Sequence, residues 1–378
     1  MNPEKSQRYI LLDLFRFLLA SLVVLYHYFF LSHIYKITNL ESSPFQSLYI
    51  CGYLGVHVFF IVSGFVILHT AQKRNWSEFV KARIVRLLPG IMIVSTLGFL
   101  FSMILPNVPH TYTVNFKDFV INFLGLSIFP KINSLVNIDF VDGAMWSLRY
   151  EIGFYIIITF ILLFNKIKHI NIFAYAWILL SVLRNEFSVP VINKIPVNLI
   201  SADYAFFFTT GILIYLLKSK KYLENKFEYI LNVIFLIISI IFSIKFVFVQ
   251  MQSFNLNNFN QSSPYFAVFY FLILFILFLF SINLKVKLSK KYIEIISILG
   301  GASFILYLIH QAIGMRIIFY TSKTIDWNGY LTLSLFFSAV FVSVFLHLYA
   351  EKFLSKNIKS LLSYSFKNTK SATQKHIK

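Results

Sequence analysis

Apolar runs long enough to cross a bilayer recur from one end of this chain to the other. The stretch 231–249, LNVIFLIISIIFSIKFVFV, is almost unbroken. A hydrocarbon core about 30 Å thick needs about twenty such residues in a helix rising 1.5 Å per residue. Inside lipid every backbone amide must be bonded within the protein, which leaves helices or closed barrels. A barrel strand would alternate between apolar and polar positions, and these runs do not. The expected fold is therefore all-α, a polytopic integral membrane protein with about ten transmembrane helices. The spans are expected near 10–32, 50–70, 88–105, 146–164, 170–184, 202–217, 228–249, 264–283, 293–319 and 330–350. The first is too long for a signal-peptide core and no small-residue cleavage site follows it, so it reads as an uncleaved span.

Charge placement sets the orientation and the partners. A net charge of +19 suggests nucleic acid until the charges are located. With the N-terminus inside, 24 of the 34 Lys and Arg fall in inner segments and four within spans. The outer loops hold six: Lys36, Lys117, Lys131, Arg184, Lys194 and Lys323. This is the positive-inside pattern, and it implies a lipid bilayer as partner and no nucleic acid. Both termini are expected in the cytoplasm. Residues 1–353 read as one membrane-embedded domain, and 354–378 as a basic cytoplasmic tail that lies on the anionic leaflet or is disordered. No appended soluble domain is evident. The segment VNFKDFVINFLGLSIF (114–129) reads as an amphipathic piece that lies along the outer interface or dips back in, and MQSFNLNNFNQSSP (251–264) as a polar outer loop ending in a helix-starting Pro264. The single cysteine, Cys51, allows no disulfide, and without HxxxH or CxxC spacing no metal site is expected.

Ionisable residues inside spans are costly, which makes them functional candidates. Arg16 and His27 lie eleven positions apart in LLDLFRFLLASLVVLYHYFF. Eleven helical steps place them on one face, about 16 Å apart along the axis. Asp13, three residues before Arg16, is within reach of a salt bridge. In GYLGVHVFFIVSGFVI (52–67), Gly52, Gly55, Ser63 and Gly64 permit close helix approach or line a substrate path, and His57 is a weaker candidate than His27. The segment RNWSEFVKARIVRLLPG (74–90) places Arg83 and Arg86 on one helix face, a fork suited to phosphate or to lipid headgroups. Here Ser77 reads as a helix N-cap and Pro89 as a stop. In MWSLRYEIGFY (145–155), Ser147 and Glu151 stack at i,i+4, as do Trp146 and Tyr150; Arg149 or Arg16 would neutralise the carboxylate. In LGGASFILYLIHQAIG (299–314), Ser303, Tyr307 and His310 form one polar stripe, the signature of a lined cavity.

Taken in order, Arg16-x10-His27, GYLGVHVFFIVSGF, Arg83-x-x-Arg86-LLP, WSLRYE, SFILYLIH and FLHLYAEKF resemble the membrane acyltransferase-3 family, from Leu12 to about Phe353. Phe15 and Phe17 stand where that family often has small residues, and Arg149-Tyr150 where it more often has apolar ones. The resemblance implies a ten-span protein of the bacterial cytoplasmic (inner) membrane that moves an acyl group, usually acetyl, from cytoplasmic acyl-CoA to a hydroxyl of a surface glycan. Acetyl-CoA is then a donor substrate, with no permanently bound cofactor. It also implies that the membrane domain transfers the group alone or passes it to a separate partner.

The expected catalytic residues are His27, Arg16 and Glu151, and Arg83 with Arg86 would hold acyl-CoA. Asp13, Trp146, Ser147, Ser303, Tyr307 and His310 would line the cavity or its acceptor end. His27 would act as a base toward the acceptor hydroxyl, or carry the acyl group itself. Arg16 would steady an oxyanion or a coenzyme phosphate. Two other classes fit the same intramembrane charges: a transporter or flippase of glycan or lipid intermediates, and an acyltransferase acting on a small molecule such as a macrolide.

Overall fold

The computed structural model describes residues 9–38, 40, 49–108, 111, 114–129, 132, 135–187, 202–220, 226–256 and 263–375, the side chains of 255–256 and 364–375 excepted. Lys131, Lys194, stretch 257–262 of the polar loop and the last three residues of the tail lie outside them. The described residues form helices joined by turns and irregular segments, with no strand among them. In chain order the helices are α1 Ile10–Ile34, α2 Cys51–Ala71, α3 Trp76–Ile104, α4 Phe116–Phe123, α5 Gly143–Leu163 and α6 Ile167–Asn185. There follow α7 Ala205–Ser219, α8 Lys226–Phe254, α9 Pro264–Asn283, α10 Lys290–Thr321 and α11 Gly329–Ser363. Among the described residues nine of these are long and apolar enough to cross a membrane. The 15-residue α7 takes the place of the sixth expected span but is shorter than a full crossing. The chain continues helical beyond α11 to Lys375.

Helix α2 is the centre of the bundle. Its apolar window is 83% buried, against 22% for α8 and 17% for α11, which face outward. Small residues set the central crossing. A Cβ on Gly64 would lie 2.0 Å from the carbonyl oxygen of Phe208, and one on Gly211 2.0 Å from that of Ile61, so α2 and α7 meet backbone to backbone. Helices α1 and α2 run antiparallel, with Tyr9 at the start of α1 edge-on to His69 at the end of α2. Gly300 brings α10 onto α1 at Asp13.

Two features of α3 differ from the sequence reading. Its N-cap is Asn75, not Ser77: the Asn75 side chain accepts from the amide of Glu78 at 2.9 Å, and the Glu78 carboxylate accepts from the amide of Asn75 at 3.3 Å. A cap at Ser77 would have Val80 three residues on, which cannot bond back to complete this box. Pro89 lies inside α3 and does not end it. A buried proline is tolerated in a membrane helix because its neighbours pack around it. Arg83 and Arg86 therefore sit within a single 29-residue helix, well in from its start at Trp76.

Among the described residues three helices contain a π-turn: Tyr26–Leu31 in α1, His310–Gly314 in α10 and His347–Glu351 in α11. Such turns are rare and concentrate at functional sites, because the extra residue re-aims side chains and frees a backbone amide.

Candidate active site

Helices α1, α2, α3, α5 and α10 enclose a cavity of about 380 Å³. Its walls carry four guanidinium groups, Arg16, Arg74, Arg83 and Arg86, and one carboxylate, Glu151. Arg74 is exposed, which places one end of the cavity at the surface, beside the start of α3. Ser147 and Tyr307 line it too, and their hydroxyls lie 2.7 Å apart. The arginines are held from behind. Asp13 is 3.9 Å from Arg16. Glu351 is 3.3 Å from Arg86, and its other oxygen meets His347 Nδ1 at 2.5 Å. Arg83 lies over the rings of Phe79 and Tyr155, 5.4 and 5.6 Å from their centroids. Glu151 accepts from Ser63 at 3.3 Å and also from Tyr155. Arg16 and Glu151 both line the cavity and attract one another, while Arg149 rests on the Phe140 ring, 4.3 Å from its centroid.

Above the Ser147–Tyr307 pair, two histidines from two π-turns meet. His27 Nδ1 is 2.8 Å from the carbonyl oxygen of Val23 and 3.1 Å from His310 Nε2. His310 Nδ1 is 2.7 Å from the carbonyl oxygen of Tyr307. A carbonyl only accepts, so both Nδ1 atoms carry hydrogen. His310 Nε2, in the neutral ring, is then an acceptor for the shared Nδ1–H of His27. The assignment leaves His27 Nε2 as the nitrogen with a free lone pair, which is what a general base or nucleophile requires.

The residues singled out from the sequence separate into three groups. Arg16, Arg83, Arg86, Ser147, Glu151, Ser303 and Tyr307 line the cavity. His27 and His310 form the pair just beyond it. Asp13 backs Arg16, and Trp146 lies off the cavity against Tyr150 and Tyr204, with ring centroids 5.9 and 5.8 Å away. Of the small residues in α2, Ser63 reaches the cavity, whereas Gly52, Gly55 and Gly64 pack against neighbouring backbone. His57 is buried among Tyr53, Tyr204, Phe207 and Phe246, and neither ring nitrogen has a hydrogen-bond partner among the described residues.

Sequence reasoning missed four contributors. Asp142, fully buried, accepts from the amides of Ala144 at 2.7 Å and Ala312 at 2.6 Å. It ties the start of α5 to the π-turn that carries His310, and an Asp-Gly just before an apolar run was the readable signal. Tyr155 stands one turn beyond Glu151 on the same face, a legible spacing. Glu351 is an acid close to the end of an apolar run. Arg74 had no signal apart from the general basic cluster.

The arrangement combines a cavity lined by four guanidinium groups with a histidine pair whose His310 bonds to the carbonyl of Tyr307, a residue of the cavity wall. The family model described as an acyltransferase domain, that of the acyltransferase-3 family, matches residues 9–350. No curated protein and no solved structure matches the chain.

Proposed function

The chain belongs to the acyltransferase-3 family, and from that premise we propose that it is a membrane O-acyltransferase carrying acetyl from acyl-CoA to a hydroxyl of a surface glycan. The observation that carries the reading is the run of guanidinium groups along a cavity whose wall includes Tyr307, the residue to which His310 of the His27–His310 pair is bonded. Coenzyme A is polyanionic at one end and carries its thioester at the other, and the cavity is cationic at one end and histidine-capped at the other. In this reading the arginine end faces the cytoplasm of the inner membrane and the acceptor meets the histidines from the opposite side.

Distance supports a division of roles among the arginines. About 16 Å of helix axis separates Arg16 from His27. In this reading Arg16 holds the body of the donor rather than the reacting carbonyl, with Asp13 fixing its direction. A pantetheine arm, equivalent to about four peptide units, spans roughly 14 Å when extended. It therefore bridges the two levels. Arg83 and Arg86 hold phosphate, each with a planar set of donors matched to phosphate oxygens.

At the thioester, His27 Nε2 accepts the proton of the acceptor hydroxyl as its oxygen bonds to the carbonyl carbon. The carbon–sulfur bond then breaks, the coenzyme leaves as thiolate, and the imidazolium returns the proton to sulfur. Through the Nδ1–H···Nε2 bond His310 orients the ring and shares the charge that forms on it. In this reading the paired hydroxyls of Tyr307 and Ser147, 2.7 Å apart on the cavity wall, turn a donor toward the transient oxyanion.

The test is transfer of labelled acetyl from acetyl-CoA to isolated surface polysaccharide by the purified chain in nanodiscs. It is paired with NMR of polysaccharide from cells with and without the gene. Glycan that stays unlabelled, and is identical in the two strains, would overturn the reading and favour a transport role.

A further inference from the structure

Three of the four cavity arginines come from one short piece of chain: Arg74 in the turn before α3, and Arg83 and Arg86 on α3 itself. Their carboxylate partners are unevenly distributed. Arg86 is paired with Glu351, and Arg16 with Asp13. Arg74 and Arg83 have no carboxylate within salt-bridge distance among the described residues, and the buried Nε of Arg83 has no hydrogen-bond partner there. Partial burial and the charge of Arg83 both push the Arg74 guanidinium below its usual pKa, against the pull of Glu78. The Glu78 carboxylate is itself committed to the Asn75 amide of the capping box. Arg74 at the exposed rim and Arg83 further along the wall thus repel one another with no carboxylate at salt-bridge distance from either among the described residues, a placement that costs free energy until anionic charge is bound beside each.

The spacing says more about that anion. Arg83 lies about 10 Å along α3 from its first residue, and Arg86 about 15 Å. Arg74 precedes that first residue, at the exposed rim. A single phosphate or a compact diphosphate seated on the Arg83–Arg86 face leaves Arg74 with no ligand. An anion that engages all three carries phosphate at two separated points.

We propose that Arg74 reads the donor phosphate most distant from the thioester, the 3′-phosphomonoester of coenzyme A, while Arg83 and Arg86 hold the diphosphate. This rests on the acyl-CoA reading above. It makes the enzyme selective for the full coenzyme over thioester donors that lack a terminal phosphomonoester, such as 3′-dephospho-coenzyme A or a phosphopantetheine arm.

The test is a binding cycle on the full chain in nanodiscs, with coenzyme A and 3′-dephospho-coenzyme A as ligands. Wild type, Arg74→Gln and Arg74→Lys are compared. Wild type should prefer coenzyme A by roughly ten- to a hundredfold, the range for one charge-assisted hydrogen bond. Arg74→Gln should abolish that preference by weakening coenzyme A alone, leaving the affinity for the dephospho form unchanged. Arg74→Lys should keep part of it. Equal weakening of both ligands, or of neither, overturns the role of Arg74 while leaving the acyl-CoA reading standing. A wild-type chain that binds neither ligand overturns that reading and this proposal with it.

Discussion

His27 and His310, 283 positions apart in the chain, share a hydrogen bond of 3.1 Å between Nδ1 of the first and Nε2 of the second. Each ring is anchored by its own helix, His27 to the carbonyl of Val23 and His310 to that of Tyr307. The π-turns that carry them are held in place by neighbours: Tyr28 fills the space beside Gly314, and Asp142 takes up the Ala312 amide.

His27→Ala should abolish acyl transfer, a loss of about 10²- to 10⁴-fold for a general base. His310→Ala should lower kcat less, because it removes an orienting partner and leaves the base. Both variants should insert at wild-type levels. Labelled transfer measured against protein content checks this, and a His310→Ala enzyme with wild-type kcat would remove the pairing from the mechanism.

Arg83→Gln together with Arg86→Gln should weaken acyl-CoA binding by about 1.5–3 kcal/mol per charge-assisted bond lost. Acceptor binding should change little. Lys at both positions should rescue only part, since an ammonium cannot reproduce the planar fork. Full rescue by Lys, in affinities measured in nanodiscs, would make the pair a lipid-facing charge anchor.

Glu351, 3% exposed, holds Arg86 and is itself held by His347. Glu351→Ala leaves part of that network without a partner and should cost about 1–3 kcal/mol of stability. Because it also frees Arg86, the KM for acyl-CoA should rise more than kcat falls. Glu351→Gln, which keeps an oxygen acceptor, should recover much of the stability and less of the KM. Steady-state kinetics alongside thermal unfolding in detergent separate the two effects, and an unchanged KM in both variants would contradict the positioning role.

Orientation is testable with introduced cysteines, since the native Cys51 is buried. Loop charge asymmetry places Ser77 on the cytoplasmic side and Thr324 outside. In intact cells an impermeant thiol reagent should label Thr324→Cys and spare Ser77→Cys. The reverse labelling would invert the topology.

The membrane helices were legible because hydropathy and backbone hydrogen bonding are local: a run of apolar residues must satisfy its own amides wherever it packs. The Asp13–Arg16 pair was equally legible, being set by the three-residue spacing of one helix. Pro89 marks where local reasoning stopped, because only the packing around α3 lets that helix run on through it. The same holds for the candidate site. His27 with His310, Arg86 with Glu351 and Ser63 with Glu151 are contacts between different helices. They depend on which helix faces meet, at what depth, and with what π-turn offset. Those are decided where small residues such as Gly64, Gly211 and Gly300 let two backbones close together. The sequence alone determined a bundle of apolar helices with costly charges buried in it. Which of those charges face one another was decided only by tertiary packing, because the hydrophobic pattern of each helix is compatible with many rotations about its axis and close contact selects one.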